Sequence, residues 1–428
     1  MSCPEHRERV VRAVEKAHAE EWSFVLAARV RFTQDLDLAE DCVQDAYAQA
    51  LANWLIAGVP QRPGAWLTTV ATRRALEQHR RAATLARKLP LLVTDAINPD
   101  AIDASDDASF PDDRIRLIFT CCHPALAVDA QLALTLRLVC GLSSAEVARA
   151  FLVKESAMQA RITRAKKKIA EARIPYRTPG PDELPERIGV VLEAIHLLYS
   201  SGYTAAAGDD LIRSDLAARA LDLATMMRTL LPGNAEVMGL LSLLRLTEAR
   251  RAARVHANGQ LVLMEDQDRT LWDRAAIDDG LTLVHQALAQ PPAGRFTLMA
   301  AIAAVHAEAP HWDETDWPQI VGLYDLLLRR WPSPVVALNR AVAMSFAAGP
   351  AAALDALDGI AADPTLASYA YLASTRADLL RRLGRTGEAL VSYEEARRLI
   401  VNAAEADFLA RRIDALRASL AIVRSSPE

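Results

Sequence analysis

At 428 residues the chain is too long for one ordinary hydrophobic core, so two or three domains are expected. It is 51% hydrophobic but only 5% aromatic, with 17 glycines and 21 prolines, which excludes a strand-rich fold and points to an all-α, multi-domain protein packed through small and branched aliphatic side chains. A net charge of -5 excludes a uniformly basic nucleic-acid binder but leaves room for a local cationic surface, because salt screens exposed charges beyond about 10 Å.

The opening stretch MSCPEHRERVVRAVEK is charged and has no apolar core, so no signal peptide is expected. The Ala-rich run near 335–362 is interrupted by Arg340, Asp355 and Asp358, which removes it as a membrane span. Cys3, Cys42, Cys121, Cys122 and Cys140 contain no CxxC pair and read as reduced thiols. A soluble, cytoplasmic protein is the expectation.

Residues 5–82 read as helices with short joints, forming a first domain over 1–84. An acidic linker follows, 85–111 in extent. Between Asp95 and Asp113 the run carries Asp95, Asp100, Asp103, Asp106, Asp107, Asp112 and Asp113 with no Lys or Arg, punctuated by Pro99 and Pro111. A solvated spacer is the plain reading. Helical periodicity resumes over 112–174. The segment 173–187 holds four prolines and marks a second boundary. The rest, 185–428, is helical throughout. Two stretches in it, around Leu354 and Leu390, each read helix, Gly-containing turn, helix, at a spacing near that of tetratricopeptide (TPR) repeats. In LGRTGEALVSYEEA, Gly387 and Ala389 are expected to permit close helix contact, and Tyr393 and Ala396 to face the core.

The strongest chemical signal is GLSSAEVARAFLVKESAMQARITRAKKKIAEAR, 141–173. Ser143 or Ser144 can cap a short helix bearing Val147, Ala148 and Phe151. A turn at Leu152–Lys154 precedes a longer helix with Met158, Ile162, Ala165 and Ile169 on one stripe. Ser156, Ala160, Thr163, Arg164 and Lys167 then point away from that stripe, with Gln159 at its edge. Lys154 to Arg173 holds seven basic and two acidic residues. A short helix, a tight turn and a cationic second helix suit insertion into a DNA major groove, where Gln and Arg pair with base edges and the lysine cluster neutralises phosphates.

DLAEDCVQDAYAQALANW (37–54) and RPGAWLTTVATRRALEQHRR (62–81) resemble regions 2.2 to 2.4 of the extracytoplasmic-function sigma factors of bacterial RNA polymerase, within the sigma-70 family; 141–173 resembles their region 4.2. FTCCHPAL (119–126), YSSGYTA (199–205) and LMEDQDRTLWDR (263–274) further resemble the group with a long tetratricopeptide-like C-terminal extension. The resemblance implies a sigma region 2-like domain, a region 4-like helix-turn-helix domain and a regulatory repeat domain, with core RNA polymerase (β′ clamp and β flap) and promoter DNA as partners. Glu40, Asp41, Gln44 and Asp45, taken as exposed on one helix, would dock on the clamp. Trp66, Arg73, Arg74, Arg80 and Arg81 would handle the -10 element, with the loop 57–64 capturing a flipped base. Ser156, Gln159, Arg161, Thr163, Arg164 and Lys167 would contact the -35 element. In relatives the linker threads polymerase channels, and the aspartates could then mimic nucleic acid. Such extensions are thought to stand in for a separate anti-sigma factor; inhibitor and activator both stay open, as does a protein partner on the repeat surface. Departures are Leu152, where relatives often have Gly, and Arg73 and Glu77, where they often have Asn and Asp.

Other residue clusters point to structure. Cys121, Cys122 and His123 lack a second zinc-type pair and read as core thiols. Glu265, Asp266, Asp268 and Asp273 lack the glycine and terminal glutamate of a calcium loop and read as caps and salt bridges. His306, His311, Asp313 and Asp316 receive no role. No phosphate loop or nucleophile motif is present, so neither enzyme nor cofactor is expected. Two rivals remain: a helix-turn-helix regulator with a sensing repeat domain, and a repeat scaffold whose basic helix is incidental.

Overall fold

The computed structural model of the chain describes residues 4–88, 112–151, 153–180, 182–203, 213–256 and 259–425. Most of the expected linker, including Asp95, Asp100, Asp103, Asp106 and Asp107, lies outside the described residues, as does Leu152. The described residues are overwhelmingly helical; Val255 and Leu261 form an isolated antiparallel bridge and there is no strand among them. No helix among them is long and apolar enough to cross a membrane. The chain divides into two compact units, 1–194 and 195–428.

In the first unit, α1 (Pro4–Thr33) and α2 (Leu36–Ala57) are separated by a sharp reversal. Gln34 takes a left-handed φ of 53°, and Asp35 then caps α2 by accepting from the backbone N–H groups of Asp37 and Leu38. α2 buries Leu36, Ala39, Val43, Ala46, Tyr47, Ala50 and Trp54, a helical stripe rich in small residues that lets α1 lie close. It stops at Gly58, whose φ of 81° suits only glycine comfortably, and α3 (Pro63–Lys88) follows, packing Leu67, Ala71 and Ala75 inward.

α4 (Asp113–Cys121) starts at Asp112, which caps it and grips Arg114 at 2.6 Å; Asp113 pairs with Arg116 at 2.5 Å. These two aspartates, read as part of a solvated acidic run, are instead fixed parts of a helix start, because N–H groups of a first turn attract carboxylates. α5 (Val128–Leu134) runs into a π-helical turn, Thr135–Val139. Just beyond it Leu142 N–H bonds back to Leu136 O (3.1 Å) rather than to Leu138 O, which leaves the Leu138 carbonyl for another donor. α6 (Ser144–Ala150) and α7 (Glu155–Glu171) form the helix-turn-helix. Ser143 is the cap: its hydroxyl accepts from Glu146 N–H at 3.2 Å, and the Glu146 carboxylate accepts from Ser143 N–H at 2.8 Å.

The proline-bearing stretch after α7 is not where the two units part. Tyr176 O–H lies 2.9 Å from Ala27 O and 3.0 Å from Asp113 O, and Glu183 clasps Arg177 through both oxygens. Arg187, buried at the start of α8 (Leu184–Tyr203), donates to Phe119 O of α4. The parting falls beyond these ties, inside α8.

The second unit runs through α9 (Ser214–Leu230), α10 (Ala235–Glu248), α11 (Arg274–Leu288), α12 (Arg295–Glu308), α13 (Trp317–Arg330), α14 (Pro334–Ala347), α15 (Pro350–Asp358), α16 (Ala370–Arg382), α17 (Thr386–Leu399) and α18 (Ala403–Ser425); most pack on their chain neighbours, and α12 rests chiefly on α10. A Cβ on Gly239 would lie 2.5 Å from Thr297 N, so only glycine lets α12 begin directly on α10. Leu354, Ala389, Tyr393 and Ala396 are buried in one core with Leu338, Leu357, Ala377 and Leu409. Gly387 does not mediate close contact as expected: it is exposed, with open space where a Cβ would project, and Ala389 supplies the approach. Asp268, Asp273 and Asp316 accept from backbone N–H groups as helix caps.

Candidate nucleic-acid and docking surfaces

α7 folds as its spacing dictates. Met158, Ile162, Ala165 and Ile169 are buried, Met158 completely. Ser156, Gln159, Thr163, Arg164, Lys167 and Lys168 are exposed on the remaining circumference. Gln159 donates to Glu155 at 3.0 Å, Thr163 donates to Gln159 O at 3.0 Å, and Lys167 faces Glu171 at 3.6 Å. Arg161 is drawn the other way: its guanidinium pairs with Asp129 of α5 at 3.3 Å and stands 5.7 Å from the Phe151 ring, so it braces the helix-turn-helix rather than joining the outer face. Arg164 makes no ion pair among the described residues and projects into solvent.

The lysine cluster is split. Lys166, only 11% exposed, donates to Asp37 at 2.8 Å and Glu40 at 2.5 Å. Burial alone would lower its pKa, but the Glu40 and Asp37 carboxylates outweigh that and hold it above the ordinary lysine value. Glu40 is therefore not exposed as expected. Its carboxylate is 6% exposed, held by Lys166, by Arg137 at 2.5 Å and by Gln44 Nε2 at 3.1 Å. The reason is that Glu40 follows Ala39, which is buried, and Arg137 and Lys166 both reach that edge of α2. Asp41 and Gln44 are exposed. Desolvation, with the crowding of Asp37, Glu40 and Asp45, raises the Asp41 pKa against the pull of Lys166.

On α3, Trp66 is half-buried and meets the fully buried Trp54 edge-on at 5.5 Å. Arg73, Arg80 and Arg81 are exposed. Arg74 is engaged by Asp45 at 2.7 Å and by Glu77 at 3.4 Å, which raises its pKa. One ion pair thus joins two residues assigned from sequence to different surfaces, because α2 and α3 pack side by side there. Ile56 in the last turn of α2 and Val59 in the loop that follows are exposed apolar residues.

Sequence reasoning missed Arg137, Lys166, Trp22 and Tyr176. Trp22 is buried and its indole N–H donates to the Leu138 carbonyl left free at the end of the π turn, at 3.0 Å. The signal for Lys166 was legible: it stands four residues after Ile162 and three before Ile169, at the margin of the buried stripe, where a charge needs a partner. Cys121 and Cys122 are buried; burial pushes the Cys122 thiol up to about 12, and it contacts Thr135 Oγ1 at 3.3 Å. No group of metal-ligating side chains occurs among the described residues.

Residues 23–84 match the family Sigma-70 region 2, residues 116–169 the family Sigma-70, region 4, and residues 187–288 a family of unknown function, DUF6596. Uncharacterized protein R00370 of Rhizobium meliloti (strain 1021) is 41% identical over 401 residues, covering 93% of this chain and 94% of that protein.

Proposed function

The chain belongs to the sigma-70 family of sigma factors, and on that premise we propose that it binds core RNA polymerase and directs initiation at specific promoters, reading the -35 element with α7 and opening the -10 element with α3. Factors of this family are initiation factors rather than enzymes, and promoter recognition is their role. The observation that carries the finer reading is the circumference of α7: Ser156, Gln159, Thr163, Arg164 and Lys167 stand exposed over a fully apolar stripe, immediately after a capped short helix. A helix so anchored presents bidentate donors to base edges while Lys167 and Lys168 face phosphates. Arg73, Arg80, Arg81 and half-buried Trp66 are the groups for an unpaired strand: cations for its backbone and an aromatic face for a base. Asp41, Gln44 and Asp45, with Glu40, form the docking helix, whose surplus of carboxylates suits a cationic clamp surface.

The C-terminal unit, TPR-like in this reading, regulates these acts. Its support is that the relative from Rhizobium meliloti aligns over nearly the full length of both chains, so the extension accompanies the two sigma modules rather than standing apart from them. The acidic linker serves as the tether between those modules, and the cytosol is where core polymerase meets the chain.

Co-purification tests the reading. Mixed with core polymerase, the chain is expected to co-elute at one copy per core. A helix-turn-helix regulator need not bind core enzyme, so elution as a free protein under low-salt conditions decides for that rival.

A further inference from the structure

The acidic face of α2 already has an occupant. Glu40 lies between the Arg137 guanidinium and the Lys166 ammonium, each at 2.5 Å, and Lys166 also reaches Asp37. Both carboxylates come from the region 2 module and both cations from the region 4 module. The surrounding seam is built from directional contacts as well as apolar ones. Trp22 donates to Leu138 O, Tyr176 bridges the carbonyls of Ala27 and Asp113, Arg31 faces Asp113 at 3.6 Å, and the Arg114 guanidinium sits 3.8 Å from the Phe24 ring centre. A nearly water-free carboxylate is tolerated only while its cationic partners stay in place, so Glu40 gives the seam a strong preference for the closed arrangement.

Resting on the sigma-factor reading, we propose that Arg137 and Lys166 form an intramolecular latch: in the free chain they occupy the docking face of α2 in place of a cationic surface of core polymerase, which must displace them to bind. The latch acts on one side of α7 alone. Lys166 turns to α2 while Arg164, Lys167 and Lys168 stay exposed, so closure withholds Glu40 at one edge of the docking face, beside exposed Asp41 and Gln44, and leaves the DNA-facing side of α7 uncovered by this contact. Lys166 is a positioning residue here, outside the groups assigned to base or clamp contact.

Two measurements on the full-length chain test this. Carbodiimide treatment should join the Lys166 ammonium to Asp37 or Glu40 as an amide, located by mass spectrometry, and the purified joined chain should lose binding to core polymerase. Lys166→Met removes one of the two latch cations and should bind core several-fold more tightly than the wild type, with about tenfold the ceiling for a closed state favoured about ten to one; its affinity for a nonspecific duplex should change no more than loss of one charge explains. In that variant Glu40 keeps Arg137 and Gln44, so the fold is retained. Tyr176→Phe, which loosens the same seam elsewhere, should shift core affinity in the same direction. Wild-type core affinity in both variants, or full binding by the joined chain, overturns the latch. No core binding by any of these chains is a different outcome: it removes the sigma-factor reading itself, and the latch with it.

Discussion

Arg164→Ala separates base reading from general attraction to DNA. Arg164 projects from the exposed side of α7, opposite Met158, Ile162 and Ala165, and has no ion pair among the described residues. Alanine is at least as good a helix former as arginine, so stability should stay within about 0.5 kcal/mol of the wild type. If the guanidinium pairs with the edge of a guanine, its removal weakens recognition by roughly 1–3 kcal/mol, a factor of about 5 to 150 at that base pair. If it meets only phosphate, the loss is nearly equal on all sequences and the salt dependence falls by about one counterion. The assay is selection of duplexes from a random pool by holoenzyme made with each chain, followed by affinity measurement on the selected sites. The expected result is a site motif that relaxes at one base pair in the -35 half. An unchanged motif bound with unchanged affinity refutes the placement of Arg164 in the groove. Arg161→Ala makes the contrast, since its loss frees Asp129 and the Phe151 ring and is read first as reduced stability of the helix-turn-helix.

Three further outcomes are expected. Ser143→Ala removes one half of the capping box on α6 and should cost about 0.5–2 kcal/mol in unfolding free energy; an unchanged denaturation midpoint argues against that cap. Asp45→Lys should weaken core binding at least tenfold while the domain stays folded, read by co-elution and far-UV circular dichroism; full affinity removes Asp45 from the docking surface. His196 and His306 are both held at about 4 by burial, with nearby arginines adding to the effect. Their folded-state pKa lies below the ordinary value near 6.5, so the unfolded chain takes up more protons between pH 6.5 and 4, and stability is complete above that window and falls within it. At pH 5 the loss is about 2 kcal/mol for each histidine. Thermal melting of the full chain from pH 7.5 to 5 should show this fall, and replacing both histidines by glutamine should flatten it; a wild-type melting temperature that is level across the range contradicts the assignment.

What could be read from the sequence was what local spacing controls. Met158, Ile162, Ala165 and Ile169 recur every three or four residues, and that periodicity alone located the buried side of α7 and hence its exposed one. Leu36, Ala39, Val43, Ala46 and Ala50 do the same for α2. The seam between the modules was not legible, because its contacts join residues far apart in the chain: Trp22 with Leu138, Tyr176 with Ala27, Lys166 with Glu40. A π turn leaves little mark on hydrophobic periodicity, so the backbone geometry that presents the Leu138 carbonyl to Trp22 could not be read from spacing. Glu40 shows the consequence. As one acid among four on a helix it reads as solvated, and only the arrival of two cations from another module makes its burial tolerable. Asp45 and Arg74 likewise look like separate surface charges until α2 and α3 are laid side by side. Gly387 fails for the opposite reason: a motif match suggested crowding where the helix surface is open.

Transcription reconstituted from purified parts addresses the main claim most directly. Core polymerase supplemented with this chain, given fragmented genomic DNA from its own source, should produce transcripts from a small set of defined start points that core enzyme alone does not use, and Lys166→Met should yield more of the same transcripts. Start points no different from those of core alone, with the wild type and with the unlatched variant, would contradict promoter-directed initiation by this protein.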